Sequence, residues 1–148
     1  MARQKMRHVE CTLEVAVKSG LDELTALAEE IREVVDSAEG GRAQTQRIQT
    51  LDETASTLEE INEPTIEGEI AQINVVYVEN IPSGRKGLSR RVRCDNALNA
   101  LDAAIQAIQE KADELEEGDQ KKELEGLVNE LEDIKGNAEA CEFPGMFG

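Results

Sequence analysis

Residues 8–18, HVECTLEVAVK, alternate between apolar and polar side chains, and this alternation decides the fold class. A period of two is typical of a half-buried β-strand, in which successive side chains point to opposite faces. The apolar side is formed by Val9, Cys11, Leu13, Val15 and Val17. The segment therefore predicts a strand over 8–18.

The apolar spacing changes to three and four residues directly after this segment, which predicts helices. Ser19 is a candidate N-cap, with Asp22 three residues later. Two apolar stripes follow, separated by EGGR and ended by Pro64: Leu21, Leu24, Ala28, Ile31, Val35 and Ala38, then Ile48, Leu51, Ala55 and Leu58. Residues 20–63 are therefore predicted to form an antiparallel helical hairpin.

Residues 69–94 carry the next β signals. GEIAQINVVYVEN is rich in β-branched residues, with Ile73, Val75 and Tyr77 on one side and Val76 and Val78 on the other. IPSGRKG is typical of a loop, and LSRRVRC is predicted as a second short strand. Together these features predict a β-hairpin with a basic loop.

Two further helical stripes occupy residues 95–138, with Asp95 as a candidate cap. They are separated near Gly118 and consist of Leu98, Leu101, Ile105, Ile108, Ala112 and Leu115, then Leu124, Leu127, Leu131, Ile134 and Ala138. Gly126 lies inside the second helix and weakens it by about 1 kcal/mol relative to alanine. The GN pair at 136–137 marks its predicted end, although one continuous helix over 95–135 is an alternative.

These elements predict an α+β fold in one domain, residues 1–148. We expect two antiparallel helical hairpins, about four helices, packed on a small antiparallel sheet of about three strands. Short matches between the halves (VEC with VRC, LEEI with LEDI) suggest an internal duplication of strand–helix–helix. Chance matches in simple helical sequences leave that question open.

Charge is distributed unevenly along the 148 residues, whose net charge is −16. Residues 19–69 carry 14 acidic and 3 basic residues, and residues 95–142 carry 15 and 4, so each block has a net charge of −11. Residues 1–18 carry a net charge of +2 and residues 70–94 a net charge of +4. Most carboxylates fall opposite the apolar stripes, where they are typical of solvated helix faces.

No motif in the sequence predicts an enzyme, and no cofactor is expected. The chain lacks a phosphate-binding glycine loop, a dinucleotide fingerprint and a nucleophile elbow. His8, Cys11, Cys94 and Cys141 match the number of ligands in a structural zinc site. In a strand, however, His8 and Cys11 point to opposite faces, so we favour reduced core cysteines and predict no metal.

A basic cluster occupies the predicted hairpin: Arg85, Lys86, Arg90, Arg91 and Arg93. It is a candidate contact surface for phosphate, nucleic acid or an acidic protein. Two alternatives are cross-strand pairing with Glu10 and Glu14 and docking on the protein's own acidic helices. The negative net charge opposes free nucleic acid, so pairing within the fold or with a second copy is preferred.

The chain ends in ACEFPGMFG, residues 140–148, which holds both of its phenylalanines. Phe143, Pro144, Met146 and Phe147 form a candidate docking peptide for a partner or a neighbouring subunit. The alternative is a strap that folds back on the protein's own helices. Two phenylalanines and a methionine left uncovered favour aggregation, so we expect the tail to be covered in either case.

The leading hypothesis is a non-enzymatic interaction or assembly protein that docks through the tail and the basic hairpin. Its expected partner is another protein or a second copy, in a homo-oligomer or a larger complex. The alternative is an acidic inhibitor that mimics nucleic acid, of the kind phages and mobile elements use. No signal peptide or membrane span is readable, so a cytoplasmic protein is expected.

Overall fold

The computed structural model describes residues 5–38, 46–82 and 87–144. Along these ranges the elements are β1 (Lys5–Thr12), α1 (Leu13–Ala38), α2 (Gln46–Glu59), a short 3₁₀ helix (Glu69–Gln72), β2 (Asn74–Ile81), α3 (Arg90–Glu114) and α4 (Asp119–Ala140). The fold is mixed, with four helices and a two-stranded antiparallel sheet in the described part of the chain. The predicted third strand is absent from it.

The strand predicted over 8–18 ends at Thr12, and its second half is helical. The Thr12 Oγ1 atom accepts a hydrogen bond from the Val15 amide at 3.4 Å, so Thr12 caps α1 in place of Ser19. Leu13, Ala16 and Val17 are buried at helical spacing, whereas Val15, predicted to point inward, is 51% exposed. The alternation of residues 13–17 therefore continued the strand pattern by coincidence.

The strand predicted over 88–94 is wrong for a similar reason, because α3 begins at Arg90. Ser89 is its N-cap and accepts a hydrogen bond from the Val92 amide at 3.2 Å. Asp95, the predicted cap, lies within the second turn of the helix. The GN pair at 136–137 does not end α4 either, since that helix continues to Ala140.

Strand β2 pairs with β1 rather than with residues 88–94. The register places Lys5 opposite Ile81 and Thr12 opposite Asn74. The predicted duplication does not hold as aligned, because VEC lies in a strand and VRC in a helix. The order strand–helix–helix nevertheless occurs twice, as β1–α1–α2 and β2–α3–α4.

The helices pack by their apolar stripes, and α1 is central because it contacts both α2 and α3. Helix α4 packs mainly on α3. The division into two hairpins is not confirmed, since the α1–α3 contact is as extensive as either contact between consecutive helices. Residues of all four helices and β2 share the larger core, whose fully buried members include Leu13, Leu24, Leu27, Leu101, Ile108 and Leu131.

Candidate interaction surfaces

Residues 142 and 143 of the tail pack against the protein's own helices. The Thr54 hydroxyl of α2 donates a hydrogen bond of 2.8 Å to the backbone carbonyl of Glu142. Phe143 is half-buried and packs against both core clusters. The aromatic anchor at 143 is therefore used within the chain, as in the strap alternative. Met146 and Phe147 lie outside the described residues.

A cleft of about 520 Å³ lies beside the tail, between α2 and the start of α3. Phe143 and Pro144 form one wall, and Arg47 and Arg91 contribute basic groups. The Arg91 guanidinium donates a long hydrogen bond of 3.4 Å to the Cys141 carbonyl and lies 3.6 Å from Asp95. The structure thus joins Arg91 with Phe143 and Pro144, which the sequence analysis had assigned to two separate surfaces.

The basic cluster is divided by the helical geometry of α3. Arg93 reaches back to α1 and forms ion pairs with Glu23 at 2.5 Å and Glu30 at 2.6 Å. Burial acts to lower the pKa of Arg93, but the hydrogen bonds that its guanidinium donates to both carboxylates outweigh this effect and raise the pKa. Cross-strand pairing with Glu10 and Glu14 is therefore wrong, and docking on an acidic helix of the same chain is observed.

The other members of the cluster that the structure describes form no ion pair with the two carboxylates that bind Arg93. Arg90 is half-buried in the first turn of α3, and Arg91 faces the tail. Arg85 and Lys86 lie outside the described residues. The part of the cluster that the structure describes is therefore not a continuous basic patch.

Sequence reasoning missed a surface at the outer face of the sheet. The exposed large apolar residues among those described are Met6, Val15 and Val76, with exposed fractions of 61%, 51% and 53%. The register places Met6 and Val76 on the same face of the sheet, because residues directly opposite share a face and alternate residues return to it. In the sequence, Val76 and Val78 formed a second apolar side of the predicted strand, and that pattern did not distinguish the exposed face from the buried one.

The inner face of the sheet is covered by the helices. Val75 is buried in the larger core, and Cys11 and Tyr77 pack against it. Burial raises the pKa of Tyr77, and a hydrogen bond with Ser19 of α1 lowers it by less. The two faces of β2 therefore have opposite environments, one within the core and one open to solvent.

One edge of the sheet is closed by asparagine side chains of α3. The Asn96 amide accepts from the Asn80 backbone N–H at 2.8 Å and donates to its carbonyl at 3.0 Å. The Asn99 amide donates to the Val78 carbonyl at 3.0 Å. These bonds satisfy the outward backbone groups near the end of β2, as an added strand would.

A small cleft of about 210 Å³ lies between β2, α1 and α3, where Tyr77 and Asn96 meet the Arg93–Glu23 ion pair. Its strongest polar groups already bind one another. No group of three or more potential metal ligands occurs in residues 5–38, 46–82 and 87–144. His8 is exposed on β1, and the predicted absence of a metal stays a prediction.

The three cysteines are not joined to one another by disulfide bonds. Cys94 and Cys141 are buried next to the end of α4, where the Cys94 thiol lies 3.8 Å from the Ala138 carbonyl. Burial raises the pKa of Cys94 to about 12 and also raises the pKa of Cys141 and Cys11. These thiols are protonated at neutral pH and poor nucleophiles, consistent with core residues.

The described part of the chain thus offers three exposed features: the sheet face, the cleft beside the tail and the acidic outer faces of the helices. None of the helices in that part is long and apolar enough to cross a bilayer. Comparisons with family models, with curated proteins and with solved structures found no match to this chain.

Proposed function

We propose that this chain is a non-enzymatic protein-interaction protein that assembles with another protein chain through the sheet end of the fold. The observation that carries the proposal is the outer face of the sheet, where Met6 and Val76 are more than half exposed. Apart from Val15 of α1, the large aliphatic side chains of the four described helices are buried or half-buried. The half-buried Val78 lies between Met6 and Val76 on the same face, so the three side chains form one apolar row. An exposed apolar row in an otherwise well-packed protein is a candidate interaction surface.

The charge distribution supports the same end of the molecule. Strand β1 carries Lys5, Arg7 and Glu10, and β2 carries Glu79, so the two strands together have a net charge of zero, whereas the two helical blocks each have −11. Charge at an interface acts mainly on orientation and association rate. A partner that approaches the sheet end therefore avoids the most acidic surfaces.

The cleft beside the tail is a second contact surface of the same proposed function. It combines an aromatic wall, Phe143 with Pro144, and the exposed guanidinium of Arg91. Aromatic and arginine side chains are the types enriched at binding hot spots. Because Phe143 is already half-buried within the chain, this cleft supports docking of a partner side chain on the tail rather than insertion of the tail into a partner.

A double substitution tests the sheet face. We expect M6K/V76K to abolish the assembly that the wild-type chain shows. Assembly is measured as the mass of the chain in solution and as the amount of other proteins that the immobilised chain retains from an extract of the source cells. The control Q120K/N129K adds the same two charges at exposed positions of α4 and is expected to leave both readouts unchanged. A wild-type chain that is monomeric and retains nothing, or a double variant that behaves as wild type, overturns the proposal.

A nucleic-acid-mimicking inhibitor is the second candidate, and α4 is the observation in its favour. Seven carboxylates are exposed along this helix, of which Glu139 alone forms an ion pair within the described residues: Asp119, Glu123, Glu125, Glu130, Glu132, Asp133 and Glu139. Dense unpaired carboxylates on a rigid helix are suited to a basic groove. Their attraction falls steeply as salt is added.

The two candidates give opposite results in one capture experiment. If the chain is a mimic, a DNA duplex displaces the retained protein, and E123Q/E130Q/D133N weakens retention while M6K/V76K does not. If assembly occurs through the sheet end, the duplex does not displace the retained protein. In that case M6K/V76K weakens retention and E123Q/E130Q/D133N does not. Retention that survives the α4 substitutions removes the mimic hypothesis.

A further inference from the structure

The free edge of β1 is the feature that the proposed function does not yet use. Asn80 directs its backbone N–H and C=O away from β1 to Asn96, and its ladder partner is Met6. In an antiparallel pair, directly opposite residues either both point toward each other or both point away. Met6, His8 and Glu10 therefore direct their backbone groups to the outer edge of β1.

Nothing in the described part of the chain covers that edge. Helix α3 closes the β2 edge, and the main contact of β1 is with β2 alone. No hydrogen bond among the described residues reaches the outward backbone groups of Met6, His8 or Glu10. An open row of backbone donors and acceptors is a template for an additional strand, and a sheet of two strands gains most from one.

We propose that the occupant of this edge is β1 of a second copy, paired antiparallel across a two-fold axis. The proposal rests on the proposed function, because it names the partner that the sheet end receives. It predicts a four-stranded sheet in the order β2–β1–β1–β2, with the asparagine-closed edges of β2 on the outside. A closed two-fold dimer then leaves no free strand edge in the described fold.

The charges of β1 select the register. Residues whose backbone groups point to the outer edge of β1 must lie opposite residues of the same kind in the second copy. A symmetric pair of β1 strands is therefore centred on one residue and not between two. Centring on His8 or on Val9 gives the longest overlap, with seven of the eight residues paired. Centring on His8 places two imidazoles opposite each other, whereas centring on Val9 places His8 opposite Glu10 of the second copy, twice per dimer.

The register centred on Val9 also agrees with the burial of β1. His8 and Glu10 are both exposed on the outer face and form no ion pair with any other residue that the structure describes, and in the sheet Glu10 lies opposite the apolar Val76. Both side chains are therefore available to the second copy.

Charge exchange at this pair tests the proposal. We expect the wild-type chain to be a dimer by sedimentation equilibrium. E10K and H8E are each expected to weaken dimerisation by roughly ten-fold, because E10K removes the carboxylate that accepts from His8 and H8E places two carboxylates opposite each other, twice per dimer. The exchange H8E/E10K places a carboxylate opposite an ammonium group in that register, and its dimerisation is expected within about three-fold of wild type.

Cysteine cross-linking tests the register independently of charge. In a C11S background, V9C is expected to form a disulfide-linked dimer on mild oxidation, because a symmetric non-hydrogen-bonded pair brings two Cα atoms to about 4.5 Å. The control variants R7C and H8C are not expected to cross-link. Cross-linking of R7C or of H8C indicates a register centred on Arg7 or on His8, respectively. Circular dichroism of each variant checks that it is folded.

Each outcome decides between the dimer and the broader function. A monomeric wild-type chain, or cross-linking of R7C or H8C in place of V9C, overturns the β1 dimer. If the chain is monomeric yet captures a different protein that M6K/V76K loses, the dimer fails and the proposed function stands. If V9C cross-links and the exchange variant restores dimerisation while M6K/V76K changes nothing, the dimer stands and the proposed role of the outer sheet face fails.

Discussion

Gly20 shows at the scale of one residue how tightly α1 and α3 pack. A Cβ atom built at this position lies 3.0 Å from the Ala97 carbonyl oxygen and 3.2 Å from the Leu101 side chain. The first of these is a backbone atom of the facing helix and moves only if that helix moves. Glycine at position 20 therefore permits a helix separation that any larger residue disturbs.

Replacing Gly20 by alanine is expected to destabilise the protein by about 1–2 kcal/mol, because overpacking outweighs the gain in helix propensity. Gly126 is the matched control, since it is also helical but has no atom within 4 Å of a built Cβ. Gly126→Ala is expected to stabilise by about 0.5–1 kcal/mol. Urea unfolding followed by circular dichroism measures both, and equal effects of the same sign contradict this account of Gly20.

Arg32 is the second residue with an identifiable energetic role. Its guanidinium binds Glu59 through Nε at 3.2 Å and Nη2 at 2.9 Å, and it binds Asp52 at 2.5 Å. These bonds join α1 to α2 beside the smaller core cluster. The hydrogen bond from Arg32 lowers the pKa of Glu59, and the opposing effect of burial is smaller.

Arg32→Ala is expected to cost about 1–2 kcal/mol at pH 7, as for a partly exposed charge network. Because the pKa of Glu59 is lower in the folded state, the stabilisation is complete above the unfolded value of about 4.3 and is lost as the pH falls through the folded value. The difference between wild type and R32A in urea unfolding should therefore shrink between pH 6 and pH 3.

Lys122→Ala serves as the control for Arg32, since Lys122 is exposed and forms no ion pair in the described part of the chain. Its effect on stability is expected to stay within about 0.5 kcal/mol at every pH. A constant difference between wild type and R32A down to pH 3 contradicts the assignment of the Arg32 contribution to ionised carboxylates.

At the scale of elements, the sequence specified helices by long apolar stripes and was ambiguous for short apolar runs. The stripes of α2, α3 and α4 fall where the pattern predicted, because burial of one face requires that spacing over several turns. Residues 13–17 and 88–94 satisfy both periods over so few positions that the cap residues decide. Thr12 and Ser89 are those caps, and both resemble ordinary polar strand residues in sequence.

The candidate surfaces were less predictable than the helices, because they depend on which elements meet. The sequence identified Phe143 and Arg93 as unusual, but the groups that hold them in place are distant in the chain. Thr54 on α2 binds the Glu142 carbonyl next to Phe143, and two carboxylates of α1 bind Arg93. The open edge of β1 follows from its pairing with β2 and from closure of the other edge by α3. No local pattern in the sequence contains that information.

The tail is an element whose role in stability can be measured. Phe143→Ala is expected to destabilise the protein by about 1–2 kcal/mol, since a half-buried aromatic side chain leaves both core clusters. Thr54→Val is expected to cost about 1 kcal/mol, because it removes the donor to the Glu142 carbonyl. The control Glu142→Ala changes only an exposed side chain, and an equal effect of all three in urea unfolding contradicts the strap.

At the scale of the whole molecule, the dominant feature is a highly acidic surface around an aliphatic core. The helices bury aliphatic stripes and expose carboxylates, with few basic residues to pair with them. A net charge of −16 on 148 residues produces self-repulsion that opposes the compact state. Surface ion pairs offset little of it, since exposed pairs contribute at most about 1 kcal/mol each.

This balance predicts that salt stabilises the protein. Raising NaCl from about 0.02 to 0.5 M shortens the Debye length from roughly 20 Å to about 4 Å and screens the repulsion between acidic helix faces more than it weakens the short ion pairs. We expect the midpoint of thermal unfolding to rise with salt. In E123Q/E130Q/D133N, which removes three unpaired charges from α4, the midpoint at low salt should be higher and the salt response smaller. A midpoint that falls with salt in the wild-type chain contradicts this balance and assigns the larger contribution to the Arg32 and Arg93 ion pairs.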